Sequence, residues 1–313
     1  MTESHKKKRR RGRHGRPVDG ILLLDKPAGL TSNAALQEVK HLLQARKAGH
    51  TGSLDPLATG MLPICLGEAT KISGFLLEAD KTYRVRICLG TTTTTGDAEG
   101  EVVRTQPVPA FGREALERVL DEFRGRIQQV PPMHSAIKRN GQPLYKLAHQ
   151  GIVVERAPRS VVIHELRLLD HGPEFLEIHV HCSKGTYIRT LAEDIGAALG
   201  CGGHVAALRR TGVGAFDASE MVPLETLKRV VEEEGPAAGD RFLLSIESAL
   251  RHWPEVRLSD EVAYFLRQGQ AVFVPHAPTR GYVRIYAGQA HRFLGVGHIL
   301  DDGRVAPKRL LNA

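Results

Sequence analysis

The sequence predicts an α+β fold built on a mixed sheet. Three observations carry this reading: strand and helix patterns are interspersed without a regular βαβ rhythm, "KTYRVRICLG" alternates with a two-residue period, and "REALERVLDEF" carries apolar residues at helical spacing. At 313 residues and 42% apolar composition, the chain can bury one large domain, or a large one with a small companion.

The N-terminus is basic. Residues 1–16 hold eight Lys/Arg against one acid, which leaves about +1 of the formal +8 for everything after them. "KKKRRRGRHGR" is too charged to pack, and reads either as a disordered solubilising arm or as one that adds non-specific phosphate affinity through counterion release. It does not resemble a secretion signal, because the apolar run at residues 21–24 falls short of the roughly 7–15 residues of an h-region. No later segment reaches membrane-spanning length. The four cysteines, at 65, 88, 182 and 201, form no C-x-x-C pair or disulfide framework, which fits a reducing cytoplasm. His179 and His181 beside Cys182 are the one metal-like spacing. They lie on an alternating strand and fall short of the three or four ligands of a zinc site, so no metal is expected.

After the tail, "VDGILLLDKPAGLTS" reads as a strand entering a Pro/Gly turn, with Ser32 or Asn33 placed to cap the helical run "NAALQEVKHLLQARK". The next stretch, "GHTGSLDPLATG", fits neither period. Asp55 followed by Pro56 matches a helix start over "DPLATGMLPICLG", with the aspartate as cap and proline at the first helical position. The functional alternative is that Pro56 biases Asp55 out of the helical region, while Gly49, Gly52 and Gly60 let backbone or a ligand approach closely. "KTYRVRICLG" then sets Tyr83, Val85 and Ile87 on one face and Arg84 and Arg86 on a wet, positive one. Tyr83 reads as a core aromatic or as a stacking platform for an unpaired base.

The threonines at 91–95 enter a turn, "GDAEG", before the helix "REALERVLDEF". From 124 to 159, seven Lys/Arg face a single acid, Glu155, in the company of Pro131, Pro132, Gly141 and Tyr145. This is a solvated loop or a segment that grips RNA. Two strands, "SVVIHELRLLD" and "EFLEIHVHCS", precede "KGTYIRTLAEDIGAALG", which turns helical at Tyr187. If Thr186 caps that helix, Arg189 sits at its third position, where the helix dipole disfavours a cation. An ion pair to Glu193 explains it cheaply. An arginine aimed at a buried carboxylate explains it better, and would hold that carboxylate ionised by lowering its pKa. Residues 217–262 carry eleven Asp/Glu to five Lys/Arg and include "EEEGPAAGD", which reads as a linker or exposed loop. A boundary near 250 follows, and the last ~60 residues alternate between turns as a small β-barrel does.

The blocks "DKPAGLTSN", "GHTGSLDPLATGMLPICLGEATK", "KTYRVRICLG", "QVPPMHSAIKRNGQPLY", "HCSKGTYIRTLAEDIGAALGCGGHVAALRRTGVGAF" and "GRVAPKRLL" together resemble the bacterial tRNA pseudouridine-55 synthases, the TruB family, from about residue 18 to the C-terminus. The resemblance implies a mixed, largely antiparallel sheet in a catalytic domain over 17–249, an RNA-binding thumb at about 124–152, and a PUA-like β-barrel over 250–313 that touches the T-stem or acceptor side of tRNA. It implies isomerisation of uridine 55 in the T-loop to pseudouridine by a cytoplasmic monomer, with no metal or redox cofactor and no obligate protein partner.

By the same resemblance Asp55 is the catalytic aspartate, set in a tight turn because it must reach a base extruded from the RNA stack. Tyr83 would stack on the flipped uracil and assist proton removal from C5. Arg189 would pair with Asp55 and keep it anionic. Leu208, in "HVAALRR", would line the pocket, and His50 would wedge the T-loop. Lys26 in "DKP" and Lys71 in "GEATK" would serve structure or phosphate contact. Two positions depart from the family pattern: Thr94 stands where an aspartate is frequent, and His149 where an arginine is common. Both are expected to affect RNA affinity rather than chemistry. Two further readings stay open, a guide-dependent dyskerin-like uridine isomerase and a non-catalytic tRNA-binding or tRNA-folding protein.

Overall fold

The computed structural model describes residues 15–139, 141–148 and 150–312. Residues 1–14 of the basic tail and His149 lie outside the described residues. Arg16, counted with the tail on composition, belongs to the fold. Its amide donates to the Gln44 carbonyl at 2.7 Å, and its guanidinium pairs with Asp240 and donates to the Leu43 and Pro236 carbonyls.

The chain opens with β1 (Gly20–Lys26), a buried apolar strand, and α1 (Ser32–Leu42). Thr31, not Ser32 or Asn33, caps α1: its hydroxyl accepts from the Ala34 amide at 3.1 Å. Ser32 is thereby freed for a longer-range task. β2 (Ala48–His50) and β3 (Thr59–Leu66) follow. The helix read over "DPLATGMLPICLG" is not formed. Residues 60–66 are buried throughout, and a strand seated between two others can bury both of its faces where a lone helix cannot. α2 (Ser73–Glu78) leads into β4 (Lys81–Leu89), which buries Tyr83, Val85 and Ile87 as its alternation predicts. The opposite face is less bare than expected: Arg84 pairs with Glu177, and the Arg86 guanidinium lies 3.8 Å from the centre of the Phe175 ring.

β5 (Thr91–Thr93) and β6 (Val102–Thr105) make a small hairpin, and α3 (Arg113–Asp121) has the predicted amphipathic stripe. The basic segment is only partly a loop. β7 (Gly125–Gln129) pairs with the large sheet, and the remainder holds a short hairpin, β8 (Lys138–Arg139) and β9 (Gln142–Pro143), with the short helix α4 (Leu144–Ala148). β10 (Arg159–Gly172), β11 (Phe175–Cys182), α5 (Ile188–Ala198) and β12 (Gly203–Val213) complete the central region.

β13 (Val222–Pro223) and α6 (Leu224–Glu234) come next. "EEEGPAAGD" is no linker: Gly235 ends α6 at φ +89°, and a 3-10 turn, Pro236–Phe242, packs against Leu43 and is held by Arg16. The C-terminal part contains β14 (Glu255–Leu258), α7 (Asp260–Arg267), β15 (Tyr282–Ala287), β16 (Arg292–Ile299) and β17 (Val305–Leu310).

The large sheet runs β13-β1-β3-β12-β4-β11-β10-β7, with β2 also on β3. Only β1–β13 and β3–β12 pair in parallel, so it is a mixed, largely antiparallel sheet and the fold is α+β as predicted. α1 and α6 cover β1 and β3 on one side, while α3 and α5 cover β4, β10 and β11. The C-terminal strands do not close into the expected β-barrel: they form an open sheet in the order β14-β15-β16-β17, with its own core against α7. It is stitched to the large part where Lys71 pairs with Glu68 at 2.7 Å and donates to the Leu310 carbonyl, and Glu68 in turn accepts from Asn312. Among the described residues no helix is long and apolar enough to cross a membrane.

Candidate active site

Asp55 sits in the loop between β2 and β3, and three residues of "DKPAGLTS" hold that loop from behind. The Ser32 hydroxyl accepts from the Leu54 amide at 2.7 Å and donates to the Leu54 carbonyl at 2.9 Å. The Gly29 amide and the Lys26 ammonium both donate to the Pro56 carbonyl, at 2.8 and 3.3 Å. The residues on either side of Asp55 are therefore clamped and its side chain points outward, into a cleft of about 950 Å³.

Of the three glycines singled out, Gly60 is the one that backbone approach requires. It has φ +97°, and a Cβ there would collide with the Arg210 carbonyl on β12. Gly52 has φ +95°, whereas Gly49 faces open space.

Arg189 answers Asp55 from the other wall. It is the second residue of α5, one place earlier than expected: Thr186 donates to the Ser183 carbonyl instead of capping the helix, and Tyr187 takes the cap position. Its side chain is 7% exposed; Nε lies 3.0 Å from Asp55 Oδ2 and 3.8 Å from Asp97 Oδ2. Nη1 donates to the Thr95 carbonyl at 2.9 Å and Nη2 to the His134 carbonyl at 2.7 Å. A cation in the first turn costs up to about 1 kcal/mol against the helix dipole. The ion pair at 3.0 Å and the two charge-assisted bonds to carbonyls act against that cost. Its ion-pair partners are Asp55 and Asp97, not Glu193.

The Asp55 carboxyl is shifted up, not down as expected from its arginine partner. Burial pushes its carboxyl above the ordinary aspartate value, and Asp97 adds to this; Arg189 opposes the shift without reversing it. The side chain is 40% exposed, but that exposure is to the cleft, whose walls keep bulk water from solvating the carboxylate fully. Asp97 is itself fixed, accepting from the Thr95 hydroxyl at 2.6 Å and the Glu99 amide at 3.1 Å. Thr94, the departure from the family pattern, closes the same turn by accepting from the Glu101 amide.

His50, Leu208 and Tyr83 also line the cleft. Tyr83 is almost fully buried, opposite Arg210 across the β4–β12 ladder, and burial pushes its phenol above the ordinary tyrosine value. Burial and the charge of Arg210 lower the His50 pKa. The two lysines lie elsewhere. Lys26 is wholly buried, its ammonium on the carbonyls of Pro27, Leu30 and Pro56, and burial pulls its pKa down to about 8. Lys71 belongs to the junction with the C-terminal sheet. Neither is among the residues lining the cleft.

The family model described as "TruB family pseudouridylate synthase (N terminal domain)" matches residues 40–188, "tRNA pseudouridylate synthase B C-terminal domain" matches 189–251, and "Pseudouridine synthase II TruB, C-terminal" matches 254–311. A protein of Nitrosococcus oceani named tRNA pseudouridine synthase B is 58% identical over 305 residues, covering 97% of this chain and 98% of its own. Proteins of the same name from Coxiella burnetii and Pseudomonas aeruginosa are 57% and 56% identical, each over 95% of this chain and 96% and 97% of their own.

The chain belongs to the TruB family of pseudouridine synthases.

It is accordingly an isomerase. A solved Cbf5-Nop10-Gar1 complex matches with a TM-score of 0.72 at 26% identity, over 94% of this chain and 84% of that one. An H/ACA RNP bound to a substrate RNA containing 2′-deoxyuridine matches in fold with a TM-score of 0.73 at 23% identity, over 98% and 93%.

Four residues of this TruB-family site escaped the sequence reading. Asp97 is the second carboxylate on Arg189. Arg210, fully buried, donates to the Met61 carbonyl at 2.7 Å and the Gly52 carbonyl at 3.2 Å, and so fixes the ends of the Asp55 loop. Gln129, at the end of β7, exchanges two hydrogen bonds with the backbone of Tyr187 at 3.0 and 3.2 Å. Ser135, between β7 and β8, lines the cleft. A cation in an apolar strand context was the available signal for Arg210; nothing local marked Gln129.

Proposed function

We propose that this isomerase converts uridine 55 in the T-loop of tRNA to pseudouridine, with Asp55 as its catalytic residue. The observation that carries the reading is the Asp55–Arg189 pair, held at 3.0 Å on the wall of a cleft that also presents the Tyr83 ring. In the reaction the N1–C1′ bond breaks, the uracil turns, C5 joins C1′, the C5 proton leaves and N1 takes one. No atom is gained or lost, so the protein must extrude the base, hold both fragments and stabilise charge at C1′. The Asp55 carboxylate does the last of these, and needs to be ionised to do it. Arg189 supports the anion against the burial that disfavours it.

Tyr83 offers its ring as the stacking surface for the uracil. Burial pushes its phenol above the ordinary tyrosine value, and the ring's place on the cleft wall suits stacking. His50 and Leu208 complete the walls around the nucleotide. The segment from 131 to 148 acts as the RNA-gripping thumb, bringing His134, Ser135 and Tyr145 onto the cleft and exposing Lys138 and Arg139. The residues from 250 onward act as a PUA-like RNA-contacting unit packed onto the large part. Cytoplasmic tRNA is the substrate.

The test is release of tritium from tRNA transcript carrying [5-³H]uridine, without guide RNA or partner proteins. Wild-type protein should release it and Asp55→Asn should not, while both bind tRNA alike. Release by both proteins would remove Asp55 from the chemistry, and release only on addition of a guide RNA would favour the guided enzyme.

A further inference from the structure

Six buried side-chain polar atoms among the described residues have no hydrogen-bond partner, and two of them, His50 Nδ1 and Ser135 Oγ, belong to residues lining the cleft. Orphaned buried polar atoms are few in folded proteins, because each gives up its water without replacement. Ser135 is the more telling of the two. The residue is 5% exposed, and its backbone is fixed on both sides: its amide donates to the Met133 carbonyl at 2.9 Å and its carbonyl accepts from the Tyr145 amide at 3.0 Å. The preceding carbonyl, of His134, is held by the same guanidinium that pairs with Asp55. The backbone of Ser135 is thus fixed on a wall of the cleft that also presents the proposed catalytic carboxylate, with the hydroxyl tucked below its surface.

Uracil presents two carbonyl oxygens and one N3–H, so its recognition needs more donors than acceptors. The cleft is rich in acceptors, with the carboxylates of Asp55, Asp97 and Glu99. Its cationic donors are largely committed to the protein: Arg189 to the Thr95 and His134 carbonyls, Arg210 to Met61 and Gly52, and Lys81 to Leu76, Leu77 and Ala79. The Ser135 hydroxyl is a donor with no such commitment.

We infer that Ser135 is a substrate-contacting residue whose hydroxyl donates to a carbonyl oxygen of the extruded uracil, so that the thumb reads the base as well as gripping the backbone. This rests on the reading of the cleft as the uridine site. It also gives the orphaned hydroxyl a partner: the bond is completed when the base enters the cleft.

The test compares wild type with Ser135→Ala in single-turnover assays at saturating enzyme, on tRNA transcripts whose target nucleotide is uridine, 2-thiouridine or 4-thiouridine. The expected loss for Ser135→Ala on uridine is about ten-fold in rate, with tRNA affinity nearly unchanged, because phosphate contacts set the affinity. Its melting temperature should equal or exceed that of wild type, since the change removes an orphaned polar atom. Sulfur is a poor acceptor, so one of the two thio substrates should slow wild type by a factor that largely disappears in Ser135→Ala. A rate for Ser135→Ala within two-fold of wild type would overturn the inference, as would a rate loss matched by a fall in melting temperature. Thio penalties of equal size in both proteins would remove the base carbonyl as the partner. An inactive wild type would instead overturn the proposed function.

Discussion

Substitution of Ser32 by alanine tests how the fold aims Asp55. The Ser32 hydroxyl accepts from the Leu54 amide and donates to the Leu54 carbonyl, both buried, one residue before the proposed catalytic carboxylate. Ser32→Ala leaves both backbone groups without a partner where water does not reach. At about 1–2 kcal/mol for each group, the expected loss is about 2–4 kcal/mol, or roughly 3–6 °C in melting temperature for a chain of this size. The loop should also shift relative to Arg189, and a displacement of about 1 Å at a reacting group can cost up to about a hundred-fold in rate, so the single-turnover rate should fall ten- to hundred-fold. The control is Thr31→Ala, which removes the cap of α1 at about 1 kcal/mol and leaves Leu54 untouched. Calorimetry and single-turnover pseudouridine formation measure the two quantities. A Ser32→Ala protein of wild-type rate, or a Thr31→Ala protein that is equally slow, would refute the view that this contact positions Asp55.

Three other outcomes follow from the same contacts. Arg189→Ala removes the counter-charge from Asp55 and two backbone anchors, and should reduce turnover at least a hundred-fold while circular dichroism and tRNA binding stay near wild type. Its residual activity should need higher pH, because the Asp55 carboxyl is pushed further up; an unmoved acid limb would contradict this. Asp55 is a carboxyl whose folded-state pKa is raised, so its ionised form costs stability at neutral pH and the cost disappears as pH falls through that pKa. Asp55→Asn should therefore melt at or above wild type at pH 7, and the gap should close on acidification; a gap that widens would reverse the sign of the argument. Gly60→Ala forces a positive φ on alanine and drives its Cβ into the Arg210 carbonyl, which should cost at least about 2 kcal/mol, whereas Gly49→Ala, facing open space, should melt within a degree or two of wild type.

Much of the fold was legible because its signals are local. The two-residue alternation of β4 placed Tyr83 inward and Arg84 outward, and the helical stripe of α3 appeared where expected. The misread elements share a cause. A cap, a linker and a helix start are judged on neighbouring residues, whereas Ser32 is turned to a residue 22 positions away, and the Pro236–Phe242 turn is pinned by Arg16. "DPLATG" carries good local helix-start chemistry and still becomes a loop, because the run after it is drawn between β1 and β12.

The site divides in the same way. Asp55 and Arg189 stood out as local anomalies, an aspartate in a constrained turn and a cation in a first helical turn. Asp97, Arg210 and Gln129 look ordinary in sequence and acquire their roles from partners far along the chain, such as Tyr187, 58 positions from Gln129. Lys26 shows the converse: a basic residue in a recognisable block, buried and turned onto three carbonyls.

The most direct test of the central claim is site-resolved mapping of pseudouridine, by carbodiimide adducts and primer extension, on one unmodified tRNA transcript treated with wild-type protein or Asp55→Asn. The account predicts a single stop at position 55 of the T-loop with wild type and none with Asp55→Asn. A stop at another position, or the same stop with Asp55→Asn, would contradict it.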